Sequence, residues 1–418
     1  MRDEAATATQ APAGGSPVRL GLIGALGIYP DYRLLWTSTV LTQAGQWMMQ
    51  ISLGWLMLQM TNSAGWVGLI GFASGVPFLA ISIPAGVLID RYDRRTVLVV
   101  CQAAAMAVSL VLAVMLTLHL ATPWHLLAAA FLNSAALAVN TAARQVLIPN
   151  FVARDHLQNA VGLMSAGQNA TRIVGPALAG PLIAGVGGAG AVYLQTVFLL
   201  AALAGTLMMP SVRASGAQVL AMRRNLVDGL AYIRRRPALA GLVWLAAIPT
   251  LLVFPYIQFL PVFARDILHI GAGGLGLLLT FSGIGAVTGA LVVAGFEKMP
   301  RKGLFMLVGT IVYGLVVIAF AYSSWVVTSA AFIFGCGLLG SAYMSVNNSL
   351  LHLNVDDDMR GRVMGVYGLT WGLSPLGALP MGWIGDHVGV PSAVALGAVL
   401  SSLFTIGLAL RSRQLRAL

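Results

Sequence analysis

The stretch Gly86-Val-Leu-Ile-Asp90-Arg91-Tyr-Asp93-Arg94-Arg95 sets acids beside arginines directly after a long apolar run. A carboxylate placed there accepts hydrogen bonds from a helix N-terminus or from an arginine, and Gly86 lets two helices approach closely. That chemistry is ionic holding and release, with Asp90 as a latch acid and Arg91, Arg94 and Arg95 as partners or orientation signals. Arg144, in Asn140-Thr-Ala-Ala-Arg144-Gln145, and the pair Arg360-Gly361-Arg362 supply further cations for the same latch. Arg172, in Asn169-Ala-Thr-Arg172-Ile, is different because it falls inside an apolar run. A cation at that depth is costly and marks a functional position by default. Three partners stay open for it: an anionic substrate, a cluster of carbonyls across a cavity, or a neighbouring helix.

A second constellation is neutral. Thr39, Gln43, Gln46 and Gln50 recur at helical steps of four, three and four, with Trp47 beside them. Asn133, Asn140, Tyr256, Gln258, Asn347 and Asn348 lie in other apolar runs. Amides and aromatics in such places suit a neutral or amphipathic substrate, or else join helix to helix. No Asp or Glu lies well inside any apolar run, so a proton carrier, if there is one, is sought at Asp90 or His352. An intramembrane enzyme needs paired acids, a metal-binding His set or a Ser/His pair. None is visible, and no phosphate-binding loop with a lysine occurs. No cofactor, metal or nucleic acid is therefore expected, and the chain is not expected to be an enzyme or a receptor.

The elements that position these residues follow from composition. Of 418 residues 58% are hydrophobic and only 9% charged, against roughly 25% charged in soluble domains. The apolar residues form continuous runs of about 20, matching the hydrocarbon core of a bilayer. Twelve spans are expected at 33–59, 64–89, 96–118, 122–146, 158–185, 189–209, 239–264, 271–296, 303–322, 325–351, 361–385 and 391–411. The net charge of +11 sits in short loops rather than on one soluble face. With the N-terminus inside, 22 of the 24 cations are cytoplasmic, leaving Arg265 outside and Arg172 within a span. The positive-inside rule then places both termini in the cytoplasm. Cys101 and Cys336 lie in apolar runs and offer no disulfide framework. Residues 1–18 lack a hydrophobic h-region and read as a disordered tail rather than a signal peptide.

An internal repeat divides the chain. Gly65, Gly68, Ser74 and Gly75 recur as Gly273, Gly276, Ser282 and Gly283 at an offset of 208, and Asp155 to Gly162 resembles Asp358 to Gly365 at an offset of 203. Two matching halves are how many transporters are built. The expected organisation is a cytoplasmic tail at 1–30, a six-helix bundle at 31–209, a cytoplasmic loop at 210–237, a second six-helix bundle at 238–411 and a tail at 412–418. Within the loop, Val219 to Ile233 has helical spacing suited to the membrane surface.

The loop from Gly86 to Arg95 resembles the signature loop of the major facilitator superfamily. The fifth span, with Gly162, Thr171, Gly175-Pro176 and Gly180, resembles that superfamily's antiporter motif, although Thr171 and Ala179 replace glycines of the full pattern. Gln46-Trp47-Met48-Met49-Gln50, Leu88 to Val97 and Met359 to Gly365 are similar to the branch with enterobactin exporters and macrolide efflux proteins. The resemblance implies an all-α membrane protein of twelve helices in two pseudo-symmetric six-helix bundles, with the first, fourth, seventh and tenth spans lining a cavity. It implies a secondary active transporter in the bacterial inner membrane, exporting a drug, siderophore or metabolite by alternating access with a proton as coupling ion; a monomer is expected. Import of a small solute on the same fold is the alternative, since fold does not fix direction.

Overall fold

A computed structural model describes residues 21, 23–212, 220–295 and 301–417; within these ranges the side chains at 79, 82–84, 86–87, 90, 220–225, 413 and 417 lie outside the described set. Among the described residues the chain is helical throughout, with no strand. Eight helical stretches are both long enough and apolar enough to cross a bilayer. One of them runs through Leu157–Leu207 and changes direction at Gly187, whose φ of 78° favours glycine, so residues 157–186 and 188–207 form separate fifth and sixth spans. Pro30–Thr61, Ala64–Arg91 and Asp357–Val388 complete the twelve.

Local chemistry sets the ends. The first span opens with Pro30 in its first turn and stops at Asn62 in the left-handed conformation. Ser63 caps the second span by accepting from the Trp66 N–H, and Asp93 caps the third, Arg94–Thr117, by accepting from the Thr96 N–H. The fourth span, Pro123–Phe151, extends five residues beyond its expected end and carries Pro149 inside its last turn.

Two spans expected as continuous are broken. The seventh begins as Pro237–Leu252, tightens to a 3₁₀ segment at Phe254–Phe259, then passes through Leu260–Val262 into a π turn at Phe263–Ile267. Pro249, Pro255 and Pro261 each remove a backbone donor, which loosens the ladder there. The eleventh divides into Asp357–Thr370 and Leu373–Val388 around Trp371 and Gly372, just before Pro375.

The remaining spans are Gly271–Gly295, Lys302–Ala321, Val326–Asn354 and Val390–Arg411. Each half has its own core at the arginine-rich face. Tyr32, Leu35, Val97, Leu147 and Met164 share one, and Leu242, Met306, Leu350 and Val363 share another. A third core crosses between the halves toward the opposite face, joining Met48, Trp55 and Val67 to Tyr256, Phe263 and Leu275. The halves are thus joined at one end.

The helix Leu220–Arg235 precedes the seventh span. Ile233 is buried with Leu239 and Val363, and Gly229 lies against the backbone of Arg362. This segment packs on the start of the eleventh span, where the sequence suggests only a place at the membrane surface. The expected tail at 1–18 and the cations Arg2, Arg19, Arg213 and Lys298 lie outside the described residues.

Candidate functional site

Four glycines set how the halves meet. A Cβ on Gly68 of the second span would stand 3.2 Å from the Gly382 Cα of the eleventh, and a Cβ on Gly180 of the fifth would stand 2.7 Å from the Gly276 Cα of the eighth. Gly68 and Gly276 are the repeat pair at offset 208, while their partners are 202 apart. The same crossing recurs nearer the middle, where Gly75 abuts Pro375 and Gly283 abuts Ile173. The repeat read from glycines is therefore a structural two-fold, and its glycines are the places where helices of opposite halves touch.

Between those contacts lies a cavity of about 300 Å³ lined by both halves. Trp47, Arg172, Tyr256 and Asn348 of the expected cavity residues line it. Gly175 seats Trp47, since a Cβ there would stand 2.6 Å from the Trp47 Cβ. The Arg172 guanidinium carbon then sits 5.7 Å from the centre of the Trp47 ring, within cation–π range. The loosened turn of the seventh span presents Tyr256, which lines the cavity together with Ser282, Tyr313 and Cys336.

Other expected cavity residues lie elsewhere. Gln50 and Gln258, themselves 208 apart, meet in a crevice beside Trp47 with a long bond of 3.5 Å. Gln46, Asn133 and Asn140 line a small crevice inside the first bundle, and Gln43 lines another with Asn140 and Arg144. The Asn133 amide donates to the Ala129 carbonyl of its own helix, and the buried Asn347 donates to the Leu242 carbonyl. Ser282, Tyr313, Cys336 and Trp371 line the cavity and were missed by sequence reasoning. Tyr313 stands midway along the apolar ninth span, outside the first, fourth, seventh and tenth spans from which cavity residues are expected.

In the fifth span, Gly175, Pro176 and Gly180 carry the close contacts, with the Pro176 carbonyl 2.8 Å from where a Gly276 Cβ would stand. Thr171 is buried and donates to the Gln168 carbonyl. Gly162 faces open space.

At the arginine-rich face Arg95, Arg144, Arg360 and Arg362 are held by bonds within their own halves. Gly86 and Asp90 lie on the second span, but their surroundings fall outside the described side chains. Arg91 is exposed. Arg94 donates to Asn150 at 3.0 Å, and Arg95 donates to the Leu207 carbonyl. Arg144 is buried and donates to Asn140, Ser38, Thr39, Thr42 and the Leu35 carbonyl. In the other half, Arg360 pairs with Asp357 at 2.5 Å and Arg362 with Asp228 at 3.2 Å.

Asp356, at the mouth of the eleventh span, accepts from the Tyr232 hydroxyl and from Arg236, both at 2.8 Å. Those bonds, the Tyr232 hydroxyl first and the guanidinium second, hold its carboxyl below the ordinary carboxylate range. A depressed native value means that the tie is present above the unfolded value and lost as pH falls through the native one. Amides of Leu220–Arg235 are expected to exchange faster, relative to intrinsic rates, once pH drops below that range. Tyr232→Phe should move the onset to higher pH in hydrogen-exchange mass spectrometry. An onset that ignores Tyr232 would refute the coupling.

The opposite face carries bonds between halves. The Asp386 carboxylate accepts from the Ser63 hydroxyl at 2.7 Å and from the N–H groups of Ala64 and Gly65 at 2.6 and 2.9 Å. Arg265 donates to the Leu58 carbonyl and to Asn62 at 2.8 and 2.9 Å, while paired with Asp266.

The sequence profile of the transmembrane secretion effector family matches residues 29–418. The chain is 23% identical to a staphyloferrin A transporter of Staphylococcus aureus, over 92% of this chain and 97% of that one. It is 27% identical to the multidrug efflux pump Tap of Mycobacterium tuberculosis, over 92% and 95%. Against macrolide efflux protein A of Streptococcus pyogenes the identity is 21%, over 85% and 89%. A bacterial homologue of the lysosomal transporter Spinster, crystallised facing inward and unoccupied, superposes with a TM-score of 0.71 at 14% identity, over 91% of this chain and 95% of that one. The twelve spans, the two-fold crossing of their glycines and the cavity between the halves agree with these matches: the chain belongs to the transmembrane secretion effector family of the major facilitator superfamily and is a multi-pass membrane transporter.

Proposed function

We propose that the chain is a secondary active exporter of small molecules, working by alternating access across a bacterial inner membrane, with the proton as coupling ion and both termini in the cytoplasm. The observation that carries this is the cavity: the halves are bonded together on the face opposite the arginine cluster, while Arg360 and Arg362 on the basic face bond within one half and Arg144 within the other. The positive-inside rule makes the basic face cytoplasmic. The cavity is then presented to the side from which an exporter loads. The relatives named efflux pumps support the direction. In this reading the units are a tail at 1–30, bundles at 31–209 and 238–411 joined by the loop at 210–237, and a tail at 412–418, working as one monomer.

Asp90 is the latch acid that holds the outward-open state, in which the mouth of the eleventh span comes to it. A ligand drives the exchange only by binding the two states differently. Substrate flux in inside-out vesicles, with and without an imposed pH gradient, tests direction and coupling together. Accumulation stimulated by an acidic lumen is the expected result, and flux out of the lumen would overturn export. Asp90→Asn should lower the initial rate in proteoliposomes about tenfold, the size of one lost charge-assisted bond, with expression unchanged. An unaltered rate would remove the latch.

A further inference from the structure

The cavity between the halves is chemically one-sided. Of the described residues that line it, Arg172 is the one that carries a charge, and no Asp or Glu is among them. The four ion pairs among the described residues leave Arg172 out, and its contact is the Trp47 face. Arg172 is half-buried, and a guanidinium partly withdrawn from water without a counter-ion is destabilised. An aromatic face offsets only part of that cost. The remainder is recovered when a bound anion pairs with it, and the same positive charge opposes a bound cation. The rest of the described wall is uncharged, with the amides of Asn169 and Asn348 among aromatic groups: Trp47 and Pro176 on one side and Phe254, Tyr256, Tyr313 and Trp371 on the other. A volume of about 300 Å³ holds a small drug-sized body.

We propose that this cavity selects amphipathic organic anions, with the acid group on Arg172 and an aromatic body lying between Trp47 and the wall of Tyr256 and Trp371. The inference rests on the reading of this cavity as the substrate site and adds the charge class of the substrate. Aromatic walls with neutral polar groups between them and one guanidinium fork accept many bodies but one sign of charge.

The test uses the full chain in lipid nanodiscs and three probes that share one ring system: 1-naphthaleneacetate, 1-naphthaleneacetamide and 1-naphthylethylammonium. By calorimetry the acetate should bind at least about tenfold more tightly than the amide, as expected for one charge-assisted contact, and the ammonium should bind more weakly than both. Arg172→Gln should erase the preference for acetate while amide affinity stays within about twofold; Arg172→Lys should retain part of it. Acetate that binds no better than the amide, a preference that survives Arg172→Gln, or no measurable acetate binding would each overturn the proposal, and the first and last need no variant that must fold. Ser282→Trp, which fills the cavity, separates the two readings. Flux that persists in that variant sinks the cavity as the substrate site. Flux that stops there, alongside a missing acetate preference in the unmodified protein, sinks the charge class alone.

Discussion

Asp386→Ala is expected to move the resting population away from the state with the halves closed on the face remote from the arginines. The Asp386 carboxylate receives three donors from the first turn of the second span: Ser63 Oγ and the N–H groups of Ala64 and Gly65. Those N–H groups are the ones a helix cannot satisfy internally, and a carboxylate facing them also meets the positive end of the helix. The bonds join opposite halves, so they exist only while this face is shut. In full burial three such bonds would be worth several kcal/mol. Asp386 is exposed and its bonds to Ser63 and Gly65 are open to solvent, which screens the charge and offers water as a replacement. A net loss of about 2 kcal/mol, or roughly thirtyfold in the ratio of states, is the expected effect. The tie from Arg265 to Leu58 and Asn62 remains and keeps the shift from being complete. Asp386→Asn, which keeps one acceptor oxygen, should fall between. Spin labels at the ends of the second and eleventh spans on that face would show the change as a longer-distance population. A distance distribution identical to that of the unmodified protein would remove Asp386 from the clasp.

That clasp shows where sequence alone stops. Asp386 reads as an acid at the end of a span, with nothing to say that another half supplies its donors. The repeat was more informative than it looked. An offset of 208 relates not only the glycines but also Gln50 to Gln258, and the structure sets those two amides face to face. Periodicity places Thr39, Gln43, Gln46 and Gln50 on a helix face. It does not reveal that Thr39 and Gln43 turn to Arg144, Gln46 to a crevice beside Gln102, and only Gln50 to the other half. Tilt and rotation are set by packing against neighbours, and packing is not written in one chain's pattern. The breaks in the seventh and eleventh spans were legible in Pro249, Pro255, Pro261 and Pro375, since each removes a donor or crowds the preceding turn. Tyr256 and Trp371 face the cavity at those breaks. The cavity's charge was legible in Arg172, set within an apolar run that holds no acid.

Arg144→Ala is expected to destabilise the first bundle rather than to free a gate. Arg144 is 4% exposed. Its Nε donates to Asn140 at 2.5 Å, its Nη1 to Ser38 at 2.9 Å, Thr39 at 2.5 Å and the Leu35 carbonyl at 3.3 Å, and its Nη2 to Thr42 at 3.2 Å. The three hydroxyls spend their own protons on carbonyls one turn back: Ser38 and Thr39 on Leu35, and Thr42 on Ser38. Their lone pairs are left to receive the guanidinium. The cation is thus solvated by dipoles of the first span instead of by an acid, and the fourth span is fastened to the first through it. Truncation removes these bonds and leaves a void that water must enter. Satisfied hydroxyl protons limit the damage, so a loss of about 3 kcal/mol is expected rather than the larger cost of orphaning a buried charge. Arg144→Lys restores the charge but not the fork, because one ammonium does not reach from Asn140 to Thr42. It should recover less than half of the loss. Thermal unfolding in a single lipid or detergent condition measures the order: unmodified protein highest, lysine between, alanine lowest. If Arg144 served instead as the partner of Asp90, both variants would leave the unfolding midpoint in place and shift only the distance between the halves at the arginine-rich face. Dipoles already occupy every nitrogen of this guanidinium, and that geometry favours the structural outcome.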